Sequence, residues 1–154
     1  MKKISTVIII VLSILLILPG NSDAKGKDEE IQRDIAKKII RFHVIANSDS
    51  KEDQELKEKV RDEILKFISP KLKESKSKEQ SRKLLEQYDG EIKNIALNKI
   101  REEGYSYNVS STFENTMFPV KQYGDLVFPE GEYEAYRIII GSGEGKNWWC
   151  VMFP

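Results

Sequence analysis

Residues 39–46 read Ile-Ile-Arg-Phe-His-Val-Ile-Ala, a run with only weak alternation of apolar and polar positions. Such a run predicts a strand buried on both faces. Between residues 51 and 68 the period changes. Leu56, Val60, Ile64, Phe67 and Ile68 recur at helical spacing on a charged background, which predicts a helix whose stripe needs a sheet to cover it. Ser50, with Asp53 three residues on, resembles a capping box at its start. Pro70 marks its stop, because the residue before a proline resists helix. Residues 71–78, rich in lysine and serine, read as a mobile connection. Ser77 and Gln80 form a second capping pair, ahead of a helix bearing Leu84, Leu85 and Tyr88. Asp89 is placed to cap a third helix with Ile92, Ile95, Ala96 and Ile100, or one helix continues with a kink near Gly90. Gly104 suits the C′ position.

From Tyr105 the texture turns aromatic and β-branched. Tyr105, Tyr107, Val109, Ser111 and Phe113 share one face of a predicted strand. Residues 117–120 start another, with Pro119 arguing for an edge or an end, and residues 123–129 read as a loop turning at Gly124. Residues 136–140 are bulky and largely β-branched. Gly141, Gly143 and Gly145 then favour a sharp reversal, so residues 128–154 read as two strands joined by a glycine-rich turn. Adjacent Trp148 and Trp149 must point to opposite faces of the returning strand, one into the core and one outward. Strand, helices and then strands predict an α+β fold: a mixed or antiparallel sheet with two to three helices packed on one face.

The N-terminus has a different pattern. Lys2 and Lys3 precede a 15-residue apolar run, residues 4–18, interrupted only by Ser5, Thr6 and Ser13. Pro19 and Gly20 break it, and Ser22, Asp23 and Ala24 offer a cleavage site, so residues 1–24 read as a signal peptide. The run is short of the roughly 20 apolar residues of a membrane span; an uncleaved anchor is the alternative. Both place the domain outside the cytoplasm. Residues 25–38 read as a charged stalk, with Ile31 and Ile35 on one side of a short helix, and residues 39–154 as one domain.

Charge narrows the function. The 154 residues hold 25 basic and 25 acidic side chains. Lys2, Lys3 and Asp23 fall in the leader, so the remainder carries about −1, with no basic excess to neutralise phosphates. Nucleic acid is therefore not an expected partner. Cys150 is the sole cysteine, which suits an intermolecular pair, a missing partner or a buried thiol. His43, the only histidine, has no partner at metal-site or triad spacing. No G-x-S-x-G surrounds Ser48 or Ser50. The 141–145 glycines precede a strand instead of a helix, so they form no phosphate loop. No catalytic residue, cofactor or metal site is expected.

Two blocks do carry a resemblance. The first is Arg41-Phe-His-Val-Ile-Ala-Asn-Ser-Asp-Ser50, followed by Asp53-Gln54, Leu56-Lys57 and Val60-Arg61-Asp62. The second holds Phe118-Pro119-Val120-Lys121, Tyr123-Gly124, Phe128-Pro129, Gly131, Tyr133-Glu134-Ala135, Arg137-Ile138, the three glycines, and Asn147-Trp-Trp-Cys-Val151. Together they resemble the stage II sporulation protein R family over most of residues 41–154. The resemblance implies a secreted signal of endospore-forming bacteria, exported from the forespore into the space between the forespore and mother-cell membranes. There it would trigger a membrane-embedded aspartic protease, at its extracytoplasmic face, to process the sigma-E precursor. Similar proteins usually continue from Trp-Trp-Cys-Val to a Pro-Leu-Cys-Phe stretch that would bring a second cysteine; residues 1–154 contain no such stretch.

On this reading the partner-binding candidates are Asn47, Ser48 and Asp49 in one turn, Gly143, Trp148 and Trp149 at the other, and Arg41 and His43 on the first strand. Tryptophan and arginine are favoured interface anchors. The alternative is an exported hydrolase or cell-wall-binding domain using His43 with Asp49, or the outward aromatics.

Overall fold

The structure, a computed structural model, describes residues 30, 34, 35, 38–124 and 126–152, with only the backbone described at 123, 126 and 149–152. The expected leader, residues 1–24, lies outside the described residues. Of the expected stalk helix, Glu30, Asp34, Ile35 and Lys38 are described, each helical. The chain divides into two units, Met1–Ile31 and Gln32–Pro154, and every strand and helix named below belongs to the second.

β1 (Ile40–Ile45) is buried at all six positions, as its apolar texture predicts. It is an inner strand of a four-stranded sheet. β5 (Gly131–Ile140) lies on one side of it and β6 (Asn147–Met152) on the other, with β2 (Val109–Phe118) outside β5. β1 runs parallel to β5, with Val44 beside Ile138, and antiparallel to β6, with Val44 beside Trp148. The sheet is mixed, and with its helices the fold is α+β.

This order corrects the glycine hairpin. β5 and β6 are not neighbours, because β1 is inserted between them. The 141–146 segment therefore spans two inter-strand spacings, about 10 Å, which six residues cover easily. A tight hairpin would have left one edge of the apolar β1 without backbone partners.

The helices α1 (Lys51–Leu72), α2 (Lys78–Gln87) and α3 (Asp89–Glu102) pack on one face. Leu56, Val60, Ile64, Ile68 and Leu72 of α1 meet Ile40, Phe42 and Val44 of β1 and Tyr136, Ile138 and Ile140 of β5. Pro70 does not end α1. Near the C-terminus it removes the one bond to the carbonyl of Lys66, an exposed residue, and burial of Leu72 carries the helix two residues further. Nor is the following connection a loose one: Ser75 is buried, and its hydroxyl bonds Ser77 O at 2.9 Å and accepts from Ser81 at 2.9 Å.

Both serine caps form, Ser50 Oγ accepting from Asp53 N and Ser77 Oγ from Gln80 N, each at 3.2 Å. Asp89 caps nothing. Tyr88 is the N-cap of α3, and the ladder runs almost unbroken across it, so the kinked-helix alternative is close to what forms. The Asp89 carboxylate instead reaches down to the sheet, accepting from Tyr136 Oη at 2.7 Å and Ser111 Oγ at 2.5 Å. α3 ends as expected at Gly104, with Tyr105 N bonded to Ile100 O at 3.0 Å.

β2 starts only at Val109 and runs on to Phe118, absorbing the start of the separate strand expected at 117–120. The expected loop at 123–129 is part of a small hairpin, β3 (Lys121–Tyr123) with β4 (Leu126–Phe128), turning at Gly124. A second cluster, Ile39, Phe118, Phe128, Tyr133 and Ala135 with Ile35, covers part of the sheet's other face.

Candidate functional site

The crossing of β1 by the 141–146 segment joins two predicted features into one. As β1 ends, residues 47–49 turn outward directly beneath the glycine loop. Asn47 Oδ1 accepts from Ser142 N at 3.0 Å, and Asn47 O accepts from Ser142 Oγ at 2.8 Å and Glu144 N at 3.2 Å. Gly145 N donates to Ala46 O at 2.9 Å, and Asp49 Oδ1 accepts from Lys146 N at 2.7 Å. The glycines permit this closeness. A Cβ on Gly141 would lie 2.2 Å from Asn47 Oδ1, and one on Gly145 2.3 Å from the Ser48 carbonyl oxygen.

The turn is held from below by α1. Asp53 is 5% exposed, and its Oδ2 accepts from Ser48 Oγ at 2.6 Å and Asn47 Nδ2 at 3.0 Å, with Tyr107 a further donor. Burial works to raise this carboxyl's pKa, but the bonds from Ser48, Asn47 and Tyr107 outweigh it and hold the group below its ordinary value. Gln54 Nε2 reaches Ser48 O at 2.9 Å. Lys57, 4% exposed, donates to Gln54 Oε1 at 2.6 Å and to Lys146 O at 3.3 Å; burial, partly countered by Glu58, pulls its ammonium below the usual range. The interior of the site is thus satisfied, while Asp49, Ser142, Glu144 and Lys146 face solvent.

The other candidates lie elsewhere. Arg41 and His43 are buried on the sheet face away from the helices, at 0% and 2% exposure. The Arg41 guanidinium carbon sits 4.2 Å from the Phe118 ring centroid and 5.0 Å from that of Tyr133. The His43 ring is 4.4 Å from Phe118. Burial, then the charges of Arg137 and Arg41, push the His43 pKa down to about 3, so the ring is neutral. Trp148 is the inward tryptophan: it is half-buried, set edge-on to Phe42 at 6.5 Å, with the Arg61 guanidinium 4.6 Å over it. The Trp149 backbone pairs with His43; its side chain lies outside the described residues. Gly143 is at the crest of the loop with φ +68°.

Asp53, Gln54, Lys57, Ser142 and Lys146 were not among the expected site residues. A signal was present for two of them. Asp53 and Lys57 fall on the same helical rows as Leu56, Val60 and Ile64, where a charge is out of place unless it has partners. Among the described residues no three acids, histidines or cysteines cluster as metal ligands, and no helix is long and apolar enough to cross a membrane.

Fold and site together define an α+β domain with one preorganised surface, made of two interlocked loops. Residues 36–154 match the family described as stage II sporulation protein R. A relative of that name from Bacillus subtilis (strain 168) is 40% identical over 160 residues, an alignment covering 100% of this chain and 70% of the relative. The chain belongs to the stage II sporulation protein R family and is a sporulation protein. No solved structure matches it.

Proposed function

We propose that this domain is an exported signal, acting between the forespore and mother-cell membranes, that binds the extracytoplasmic face of a membrane-embedded aspartic protease and switches on processing of the sigma-E precursor. The observation that carries the reading is the interlocked 47–49 and 141–146 surface, in a chain of this family. Its backbone is fixed by bonds from three directions, so Asp49, Ser142, Glu144 and Lys146 are presented with little ordering left to do on binding. A ligand of this kind activates only by binding the active conformation of its target more tightly than the inactive one. The alternative of a hydrolase built on His43 and Asp49 has less support. His43 is buried against Phe118, whereas Asp49 is exposed and its carboxylate is engaged by Lys146.

The test is reconstitution in a non-sporulating host that expresses the protease and sigma precursor, with and without this protein exported. Precursor cleavage should require it, and should be lost with Asp49→Arg and Glu144→Arg variants that still fold. No cleavage, with a full-length relative active alongside, would sink the proposal. Turnover of purified peptidoglycan by the wild type, absent from a folded His43→Ala variant, would favour the hydrolase.

A further inference from the structure

The register of β2 with β5 outlasts their pairing. It ends at Phe118↔Gly131 and resumes without a slip as Lys121↔Phe128 and Tyr123↔Leu126 in β3 and β4. The four strands therefore form one long ribbon, and β3–β4 is its outer arm, running past the end of the sheet. Continuing the register sets Pro119 opposite Glu130 and Val120 opposite Pro129, so the ladder lapses where neither proline can donate. In an unbroken ribbon Phe118 and Phe128 would lie on opposite faces. Both belong to the cluster with Ile39 and Tyr133, so the ribbon turns over at this break.

With Phe128 turned inward, alternation points Val127 outward, and Val120 with it. They are 56% and 55% exposed, and Met117, next to the end of β2, is 64% exposed. Among the described residues the large hydrophobics exposed to this degree all lie on the outer part of one ribbon. The chain also enters the domain here: Ile39, just before β1, and Ile35 pack in the cluster that Phe118 and Phe128 complete. Upstream in sequence lies the apolar run 4–18, so a bilayer engaged by that run is joined to the domain at the arm's end. The loop surface of residues 47–49 and 141–146 is at the other end of β1, beyond Ile45.

We propose that the β3–β4 arm rests on a lipid bilayer, with Val120 and Val127 set into the boundary between headgroups and acyl chains, which turns the loop surface away from that bilayer. Three side chains are far too few for a stable protein interface, which buries roughly 800 Å² on each partner. A weak apolar contact suffices beside a second membrane signal in the same chain, because the arm's contact is then intramolecular. The contact is apolar and not ionic: Glu130 and Glu132 are exposed next to the arm and would be repelled by anionic headgroups. It stands or falls apart from the role proposed for the loops.

For the test, the full chain, labelled at valine and methionine methyls, is reconstituted in phosphatidylcholine nanodiscs that carry a lipid spin-labelled near its headgroup, and methyl relaxation is read by NMR. Val120, Val127 and Met117 should relax several-fold faster than Val60 in α1 and than Val109, which starts β2 at the far end of the sheet. Val120→Asp combined with Val127→Asp changes only exposed side chains, so the circular dichroism spectrum should be kept while Met117 falls to the level of Val109. Equal relaxation at Val109 and Val127, as for a domain that merely tumbles beside the disc, overturns the proposal. So does an effect that appears only with anionic lipid, or one that persists at Met117 in the double variant. Resonances of Val120 and Val127 that move with protein concentration before lipid is added would give the arm to a second copy instead, and the proposal fails. Should the double variant unfold, the comparison of Val127 with Val109 in the wild type decides alone.

Discussion

Asp53 shows how one side chain can serve two levels of structure. Its backbone N–H is capped by Ser50, and its buried carboxylate gathers Ser48 and Asn47, the latter in turn holding Ser142. Asp53→Ala leaves three half-buried donors, Ser48, Asn47 and Tyr107, without their acceptor and should cost about 1–3 kcal/mol in urea unfolding. Exchange of the Ser142 and Gly145 amides should also rise. A loss of global stability with no change at those amides would show that the loop is held by other contacts. Asp53's depressed pKa adds stability above the unfolded carboxyl's value of about 3.9, lost as pH falls through the lower folded value. His43 acts in a higher window. Held neutral with a pKa of about 3, it binds fewer protons than an unfolded histidine at about 6.5, so stability should decline as pH drops below about 6.5. The urea midpoint should therefore fall between pH 7 and pH 4.5, less steeply in His43→Leu; equal slopes would refute the assignment. Asn47 and Asp49 were legible as site candidates from their turn chemistry. Ser142 was not, because its partner is 95 residues away.

At the scale of elements, local rules succeeded where the deciding partner is near in sequence. Ser50, Ser77 and Gly104 fall where capping chemistry puts them. Asp89 and Pro70 defeated those rules because distant groups decided: the Tyr136 hydroxyl drew Asp89 downward, and the core drew Leu72 in. The glycine loop is the clearest case. Three glycines favour a reversal, yet their role is to let one segment lie against another. Gly145→Ala would place a methyl 2.3 Å from a backbone oxygen, which no rotamer change relieves. It should destabilise by about 1–3 kcal/mol and abolish signalling in the reconstituted assay. Gly124→Ala, at φ +59° with nothing within 4 Å, meets only backbone strain, about 1–2 kcal/mol, and should leave signalling intact. Equal effects on signalling would mean that the packing of the loop against residues 47–48 is irrelevant to it.

At the scale of the molecule, α+β was legible from the order of elements, but strand order was not, since a hairpin and an inserted β1 bury the same residues. Among the described residues β1 pairs only with β5 and β6, which begin about ninety and more than one hundred residues later in the chain. A fragment ending at residue 104 thus contains α1, α2 and α3 but neither β5 nor β6, the partners of β1 among the described residues. It should show no cooperative thermal transition by circular dichroism, while the full chain unfolds in one step; a cooperative fragment would mean that the helices hold the core without the sheet. Such long-range pairing also places folding toward the slow end of the range for domains of this size.

The central position of β1 has a mechanical meaning. A pull delivered through the residues before Ile40 arrives along a strand flanked by five residue pairs with β5 and six with β6. Force along a strand loads its ladders in shear, so many bonds must yield together, whereas a strand peeled from an edge yields one bond at a time. A tether at this end of the domain would be tied to the part of the fold that gives way last.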